Sequence, residues 1–254
     1  MSMHAEAEPK KGDSELKRAV RFWVPVLLAV LVVRSFLYQP FHIPSESMKT
    51  TLLVGDSLFV SKFSYGFSRY SLPFSPPLFS GRVFGAQPRR GDIAVFRLPR
   101  DDTQDLIKRI IGLPGDRIQM IGGHLHINGE PVKRERIENY VDTEDVPGGG
   151  VPVRRWRETL PNGVTYTTLD LQDNGPLDDT PVYEVPPDRY FMMGDNRDDS
   201  TDSRVLDEVG YVPFDNIVGR AEIIYFSIGD GAAAWQVWRW PSALRWGRFF
   251  MMLR

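Results

Sequence analysis

Residues 41–52 read FHIPSESMKTTL and set two hydroxyls, Ser45 and Ser47, on either side of Glu46 and just behind Pro44. A serine hydroxyl is almost never ionised at neutral pH, so it attacks a carbonyl only when a base takes its proton. Histidine is the usual base, and the chain has four. His4 lies in the polar tail ahead of an apolar run. His42 adjoins that run and is close in sequence to Ser47. His124 and His126 lie between a GG and an NG pair, where a structural role in a hairpin is the simpler reading. No serine stands in a G-x-S-x-G elbow, so a Ser-His-Asp triad is poorly signalled.

Lysine is the other available base. Lys108 stands in DLIKRIIGLPGD. If that stretch is a strand, Leu106, Lys108 and Ile110 share one face, and Ile107, Arg109 and Ile111 the other. On a buried face the ammonium loses its water, which lowers its pKa and leaves a neutral amine able to accept a proton. The same spacing also fits an edge strand with its lysine in solvent, and spacing alone favours that reading. A third stretch, residues 193–204, reads MGDNRDDSTDSR. It lacks the glycine and closing carboxylate of an EF-hand. Its Asp and Arg residues fit a rigid, charge-paired loop that positions a neighbouring side chain.

These three stretches need elements to hold them. With 254 residues the chain is long enough for one or two cored domains, and a net charge of −2 gives no general pull towards nucleic acid. The absence of cysteine excludes disulfides, thiolate metal sites and cysteine catalysis. Residues 1–19 form a basic tail, with Lys10, Lys11, Lys17 and Arg18. A helix over residues 20–41 would reach about 30 Å, the thickness of a hydrocarbon core. A cleaved leader is the rival reading, but Tyr38, Gln39 and Pro40 make a poor cleavage site, which favours an uncleaved anchor. Basic residues on the short side place the tail in the cytoplasm and the rest outside.

Beyond the anchor the text is that of strands. Alternating apolar residues mark 56–66 and 91–99, and residues 106–132 read as strands broken by LPGD, GG and NG. Pro114-Gly115 suits a type II turn and Asn128-Gly129 a primed hairpin turn. Residues 67–90 look like a long loop. A first core part over 42–132 is followed by a charged, glycine-broken stretch, 133–181, expected as an inserted cap or a set of surface loops. Strand character returns over 182–230, the second core part. Residues 231–254, rich in Trp and Arg, read either as a packed terminus or as an interfacial segment.

Taken together, the three stretches resemble bacterial type I signal peptidases, membrane-bound serine proteases that remove signal peptides from exported proteins. FHIPSESMKTTL resembles that family's nucleophile box, RRGDIAVF and DLIKRIIGLPGD its lysine boxes, and GDNRDDSTDSR its late box, all in order. The resemblance implies a mainly β, antiparallel Ser/Lys protease core with an inserted cap, behind one N-terminal transmembrane helix. It makes Ser47 the nucleophile and Lys108 the general base. Ser45 is assigned to the oxyanion hole, and Ser200 is to hydrogen-bond and orient Lys108. Gly194, Asp195, Arg197, Asp202 and Arg204 become structural residues of the site, the charged ones pairing within the loop.

An extended substrate would touch the main chain of Ile43, Pro44, Asp105 and Ile107, with Leu106 between them. Ile43 and Met48 would shape pockets for small residues such as alanine. Two positions depart from the family pattern: Thr50 stands where proline is usual, and Leu106 where many relatives carry tyrosine. Neither removes a catalytic atom. No metal or organic cofactor is implied. The implied partners are preprotein signal peptides emerging from the export machinery, and membrane lipid, with no nucleic acid. The implied place is the bacterial inner membrane, with the catalytic domain on the periplasmic side. The rival readings are a dedicated processing peptidase of the same clan and a catalytically idle, membrane-anchored assembly factor. The first differs only in substrate range, and the intact Ser47, Lys108 and Ser200 argue against the second.

Overall fold

The structure, a computed structural model, describes residues 11–72, 75, 76, 79–141, 150–229 and 236–253, with the main chain only over 11–14. Most of the basic tail, including His4 and Lys10, the glycines at 148 and 149, and residues 231–235 of the C-terminal segment lie outside the described residues.

Helix α1 runs over Lys11–Phe36. Its apolar stretch, Glu15–Phe36, is long enough to cross a membrane. Phe22, Leu27 and Leu28 point to different sides of the helix, and each is more than half exposed. Apart from its last turn, where Ser35 is buried and Phe36 meets Phe67, the helix leaves apolar side chains exposed on all sides, which matches lipid rather than water. The helix expected over 20–41 runs instead from Lys11 to Phe36. Pro40 explains the stop. It lacks an N–H and forces Gln39 into an extended conformation, so the chain leaves the helix as a strand. Leu37 alone joins the two elements, and its carbonyl accepts from the Lys62 N–H at 3.0 Å.

The strands follow in chain order as β1 (Tyr38–His42), β2 (Asp56–Ser61), β3 (Ile93–Leu98), β4 (Asp101–Gly112), β5 (Arg117–Ile121), β6 (His124–Ile127) and β7 (Glu130–Pro131). Then come β8 (Lys133–Tyr140), β9 (Val153–Thr159), β10 (Thr165–Asp170), β11 (Tyr183–Glu184), β12 (Arg189–Met193), β13 (Val212–Pro213), β14 (Ile217–Ser227) and β15 (Met251–Met252). The main sheet is antiparallel in the order β1-β2-β14-β3-β4-β12-β13, with β15 added to β14. A smaller sheet, β11-β5-β6-β7, adjoins it. Its turns behave as the sequence predicts: Gly115 has φ +88°, and Asn128 and Gly129 have φ of +56° and +86°.

The described residues of 133–181 are more than a set of surface loops. They build a third antiparallel sheet, β10-β9-β8, and Leu160 and Tyr166 from it pack into a core shared with Ile118, Leu125 and Phe191. Charged residues on its outer face hid this apolar side in the sequence. The C-terminal segment takes something from each of its two expected readings. Arg248 turns inward, with Nε 3.0 Å from Asp56 Oδ1 and Nη2 2.9 Å from the Thr51 carbonyl oxygen. Trp238, Trp246 and Phe250 remain mostly exposed.

Candidate active site

Ser47 stands in a turn over residues 46–50, between β1 and β2. Apolar anchors fix the turn from below: Ile43, Met48 and Leu52 are buried in one core with Leu58, Val60 and Val95. Polar bonds fix it from the side. The Asn196 N–H donates to the Ser47 carbonyl oxygen at 3.1 Å, and Asn196 Nδ2 donates to the Glu46 carbonyl at 3.3 Å. The turn and the late loop therefore form one unit.

Lys108 lies on β4, an interior strand between β3 and β12, and is 3% exposed. The burial overturns the reading of its spacing as a lysine in solvent, although β12 joins β4 only from Arg109 onward. Its Nζ donates a hydrogen bond to Ser47 Oγ. Burial strips water from the ammonium and lowers its pKa to about 8, opposed by the charges of Asp202, Asp195 and Asp199. The described histidines have other partners than this pair. His42, on β1, is exposed and meets Ser57, while His126 turns back on the His124 carbonyl.

Gly194 is required by space. A methyl group there would lie 2.2 Å from Ser200 Oγ and 2.5 Å from the Ser47 carbonyl oxygen. Ser200 thus abuts the nucleophile turn across Gly194. The expected hydrogen bond from Ser200 to Lys108 is corrected: Ser200 Oγ is buried and has no hydrogen-bond partner among the described residues. An orphaned buried hydroxyl costs about 1–3 kcal/mol, and one kept beside reactive groups is a mark of function. Ser45 is exposed, with its Oγ 3.5 Å from Ser47 Oγ.

The charged residues of the late loop divide their partners. Asp202 takes Arg204, with Nε and Nη2 each 2.8 Å from a carboxylate oxygen, and also accepts the Gly194 N–H at 3.0 Å. Asp195 reaches across to β4, where Arg109 Nε and Nη2 meet its two oxygens at 2.9 and 2.7 Å, and it also accepts from the Thr51 hydroxyl. Arg197 does not pair within the loop as expected. It forks onto Glu158 of β9, which also accepts from Tyr166 at 2.7 Å. Burial pushes the Glu158 carboxyl up, but Arg197 and Tyr166 outweigh it and hold its pKa below the usual range.

Pro44 is exposed and precedes the turn, while Asp105, Leu106 and Ile107 lead into Lys108 along β4. Donation to substrate from the Ile43 main chain is corrected. Its N–H donates to Asp56 and its C=O accepts from Gly55, so both groups are already engaged. On β4, residues 105–108 pair with β3, whereas β12 pairs only from Arg109 onward. The second edge of 105–108 is thus free of strand partners among the described residues. Sequence reasoning missed Arg109, Thr51, Glu158 and Tyr166. For Arg109 a signal existed, since an arginine between two isoleucines on a strand demands a buried acid. Glu158 has no local signal.

No cluster of metal-ligating side chains occurs among the described residues. A family model described as signal peptidase, peptidase S26, matches residues 16–226. The signal peptidase I of Rickettsia typhi is 42% identical, over 85% of this chain and 83% of its own. That of Rickettsia massiliae is 43% identical, over 83% of this chain and 81% of its own. A crystal structure of a signal peptidase I from Enterococcus faecalis aligns with a TM-score of 0.31 and 28% identity, covering 53% of this chain and 97% of that one. On the matched family model and these relatives, the chain belongs to the signal peptidase family, peptidase S26.

Proposed function

We propose that this membrane-anchored signal peptidase cuts its substrates with Ser47 as nucleophile and Lys108 as general base. The observation that carries the reading is the hydrogen bond from a buried, desolvated lysine amine to a serine hydroxyl. A lysine of ordinary pKa, near 10.4, would hold roughly one neutral amine in several thousand at pH 7, whereas one near 8 holds about one in ten. Neutral Lys108 accepts the Ser47 proton as Oγ adds to the scissile carbonyl. The protonated amine then gives that proton to the leaving amine, forming an acyl-enzyme on Ser47. Lys108 next takes a proton from water, and the hydroxide so formed releases the acyl group.

Charge on the carbonyl oxygen is held by the Ser47 N–H and the Ser45 hydroxyl, donors of a kind worth about 3 kcal/mol of barrier each. Ser200 packs across Gly194 against the nucleophile turn and helps to hold it in place. Asp195, Arg197, Asp202 and Arg204 keep the loop rigid. The substrate lies extended along the open edge of β4 at 105–107, with Pro44 on its other side, adding a strand as in β-augmentation. Buried Ile43 and Met48 form a shallow floor that suits small residues such as alanine before the cut.

The anchor sits in the bacterial inner membrane, with its basic tail in the cytoplasm and the β domain in the periplasm. There it meets signal peptides as they leave the export machinery, and exposed Trp238, Trp246 and Phe250 rest on lipid headgroups. The test is cleavage of a preprotein bearing an Ala-x-Ala site by detergent-solubilised protein, with the new N-terminus mapped. Ser47→Ala and Lys108→Ala each abolish the cut while thermal melting stays cooperative. Substantial cleavage by either variant removes that residue from its role.

A further inference from the structure

The three-stranded lobe β8–β10 is fastened to both halves of the site. Its strand β10 is bridged to the late loop: the Leu169 N–H donates to the Asp195 carbonyl at 3.0 Å, and the Arg197 N–H donates to the Leu169 carbonyl at 3.1 Å. Below that seam lies the fully buried Glu158 with Arg197 forked onto it, and Arg197 Nη2 also donates to the Tyr166 hydroxyl at 3.0 Å. The Tyr166 ring in turn carries the Arg109 guanidinium over its face at 4.3 Å. A lobe tied by main-chain bonds, a buried ion pair and an aromatic face cannot slide relative to β4 and the late loop without breaking several of them together. Side chains on β10 are therefore fixed references for the site.

One of them reaches the nucleophile turn. Thr167 Oγ1 lies 2.7 Å from Thr50 Oγ1, three residues after Ser47, and both side chains are half-buried. We infer that Thr167 is a positioning residue for the reaction: through Thr50 it ties the turn that carries Ser47 to the lobe, and so sets where Oγ stands relative to Lys108. The inference deepens the Ser47–Lys108 reading and rests on it. Small displacements of a nucleophile act on the chemical step, since a shift of about 1 Å costs on the order of a hundredfold in rate. Binding along the β4 edge is expected to stay unchanged, because the Thr50–Thr167 bond joins the turn to the lobe and involves none of residues 105–107.

The experiment measures kcat and KM for an Ala-x-Ala preprotein in detergent, with each preparation normalised by titration of its active sites. Thr167→Val keeps the volume and removes the hydroxyl. It is expected to lower kcat about tenfold with KM unchanged, while Thr167→Ser restores the wild-type rate. Thr50→Val reads the same bond from the other side should Thr167→Val fold poorly, and the double variant is expected to lose no more than either single one. Wild-type kcat in both valine variants overturns the inference, as does a loss that Thr167→Ser fails to rescue. Ser47→Ala runs in parallel. Cleavage surviving there overturns the nucleophile reading itself, whereas a dead Ser47→Ala beside an unimpaired Thr167→Val overturns only the role of the lobe.

Discussion

Lys108 and Arg109 are neighbours on β4, both buried cations, and the fold treats them in opposite ways. Arg109 is fully buried with its fork filled by Asp195, so although burial alone would lower its pKa, the carboxylate outweighs that and raises it. Lys108 is almost as deeply buried, but it donates to a neutral hydroxyl, with Asp195 already taken by Arg109 and Asp202 by Arg204. Its pKa therefore falls to about 8. Burial by itself does not make a reactive group. What matters is whether the nearby acids are already committed, and here the arginines hold two of them.

The largest effect should come from erasing the difference at position 108. Lys108→Arg keeps the charge, but a guanidinium with a pKa above about 12 cannot become a base at working pH. The expected loss in kcat/KM is about 10²–10⁴-fold, the usual worth of general-base catalysis, despite the conserved charge. A variant retaining a tenth of wild-type activity would end the argument from neutral lysine. The same logic fixes the pH profile of the wild type. The active form is the deprotonated one, so kcat/KM should rise with pH and level off above about 8. A flat profile between pH 6 and 9 contradicts this.

Breaking the pair at position 109 should act on stability instead. Arg109→Met leaves Asp195 buried without its guanidinium, and removal of one partner of a buried ion pair typically costs about 3–5 kcal/mol. Denaturant unfolding measures it. Lys108→Met, by contrast, removes a poorly solvated cation that has no salt bridge among the described residues, and should leave the protein at least as stable as the wild type. If the methionine at 108 costs as much as the one at 109, the two residues are not held as differently as their partners imply.

How much of this was legible in the sequence follows the same division. The turn around Ser47, the strand around Lys108 and the charged late loop were readable because each carries its chemistry within about a dozen residues. Period-two alternation and the Pro-Gly and Asn-Gly turns gave most of the strands around them. The end of the helix was misread because apolar Phe36, Leu37 and Phe41 look continuous, and only the steric demand of Pro40 separates them. Long-range partners stayed hidden. Glu158 is a lone acid in a stretch crowded with arginines, and its pairing with Arg197 exists only once β9 folds against the late loop. Ser200 was legible as a site residue but not in its geometry, since an unfilled hydrogen bond leaves no trace in sequence.

Lys62 supplies the sharpest control, with the smallest expected effect. It is 2% exposed, and burial, followed by the Arg34 charge, lowers its pKa to about 8, the same value as for Lys108. Its amine, however, is committed to the Ser71 carbonyl at 2.6 Å, and no reactive hydroxyl stands against it. If a depressed lysine pKa were enough to mark a catalytic group, Lys62 would be one. Lys62→Met should leave kcat within about twofold and keep the pH limb near 8, because that limb belongs to Lys108. The cost should appear only in stability, at about 1–3 kcal/mol for the carbonyl left without its donor, less whatever is regained by not burying an ammonium. A pH limb that moves in Lys62→Met while the protein stays folded would mean that the profile had been assigned to the wrong lysine.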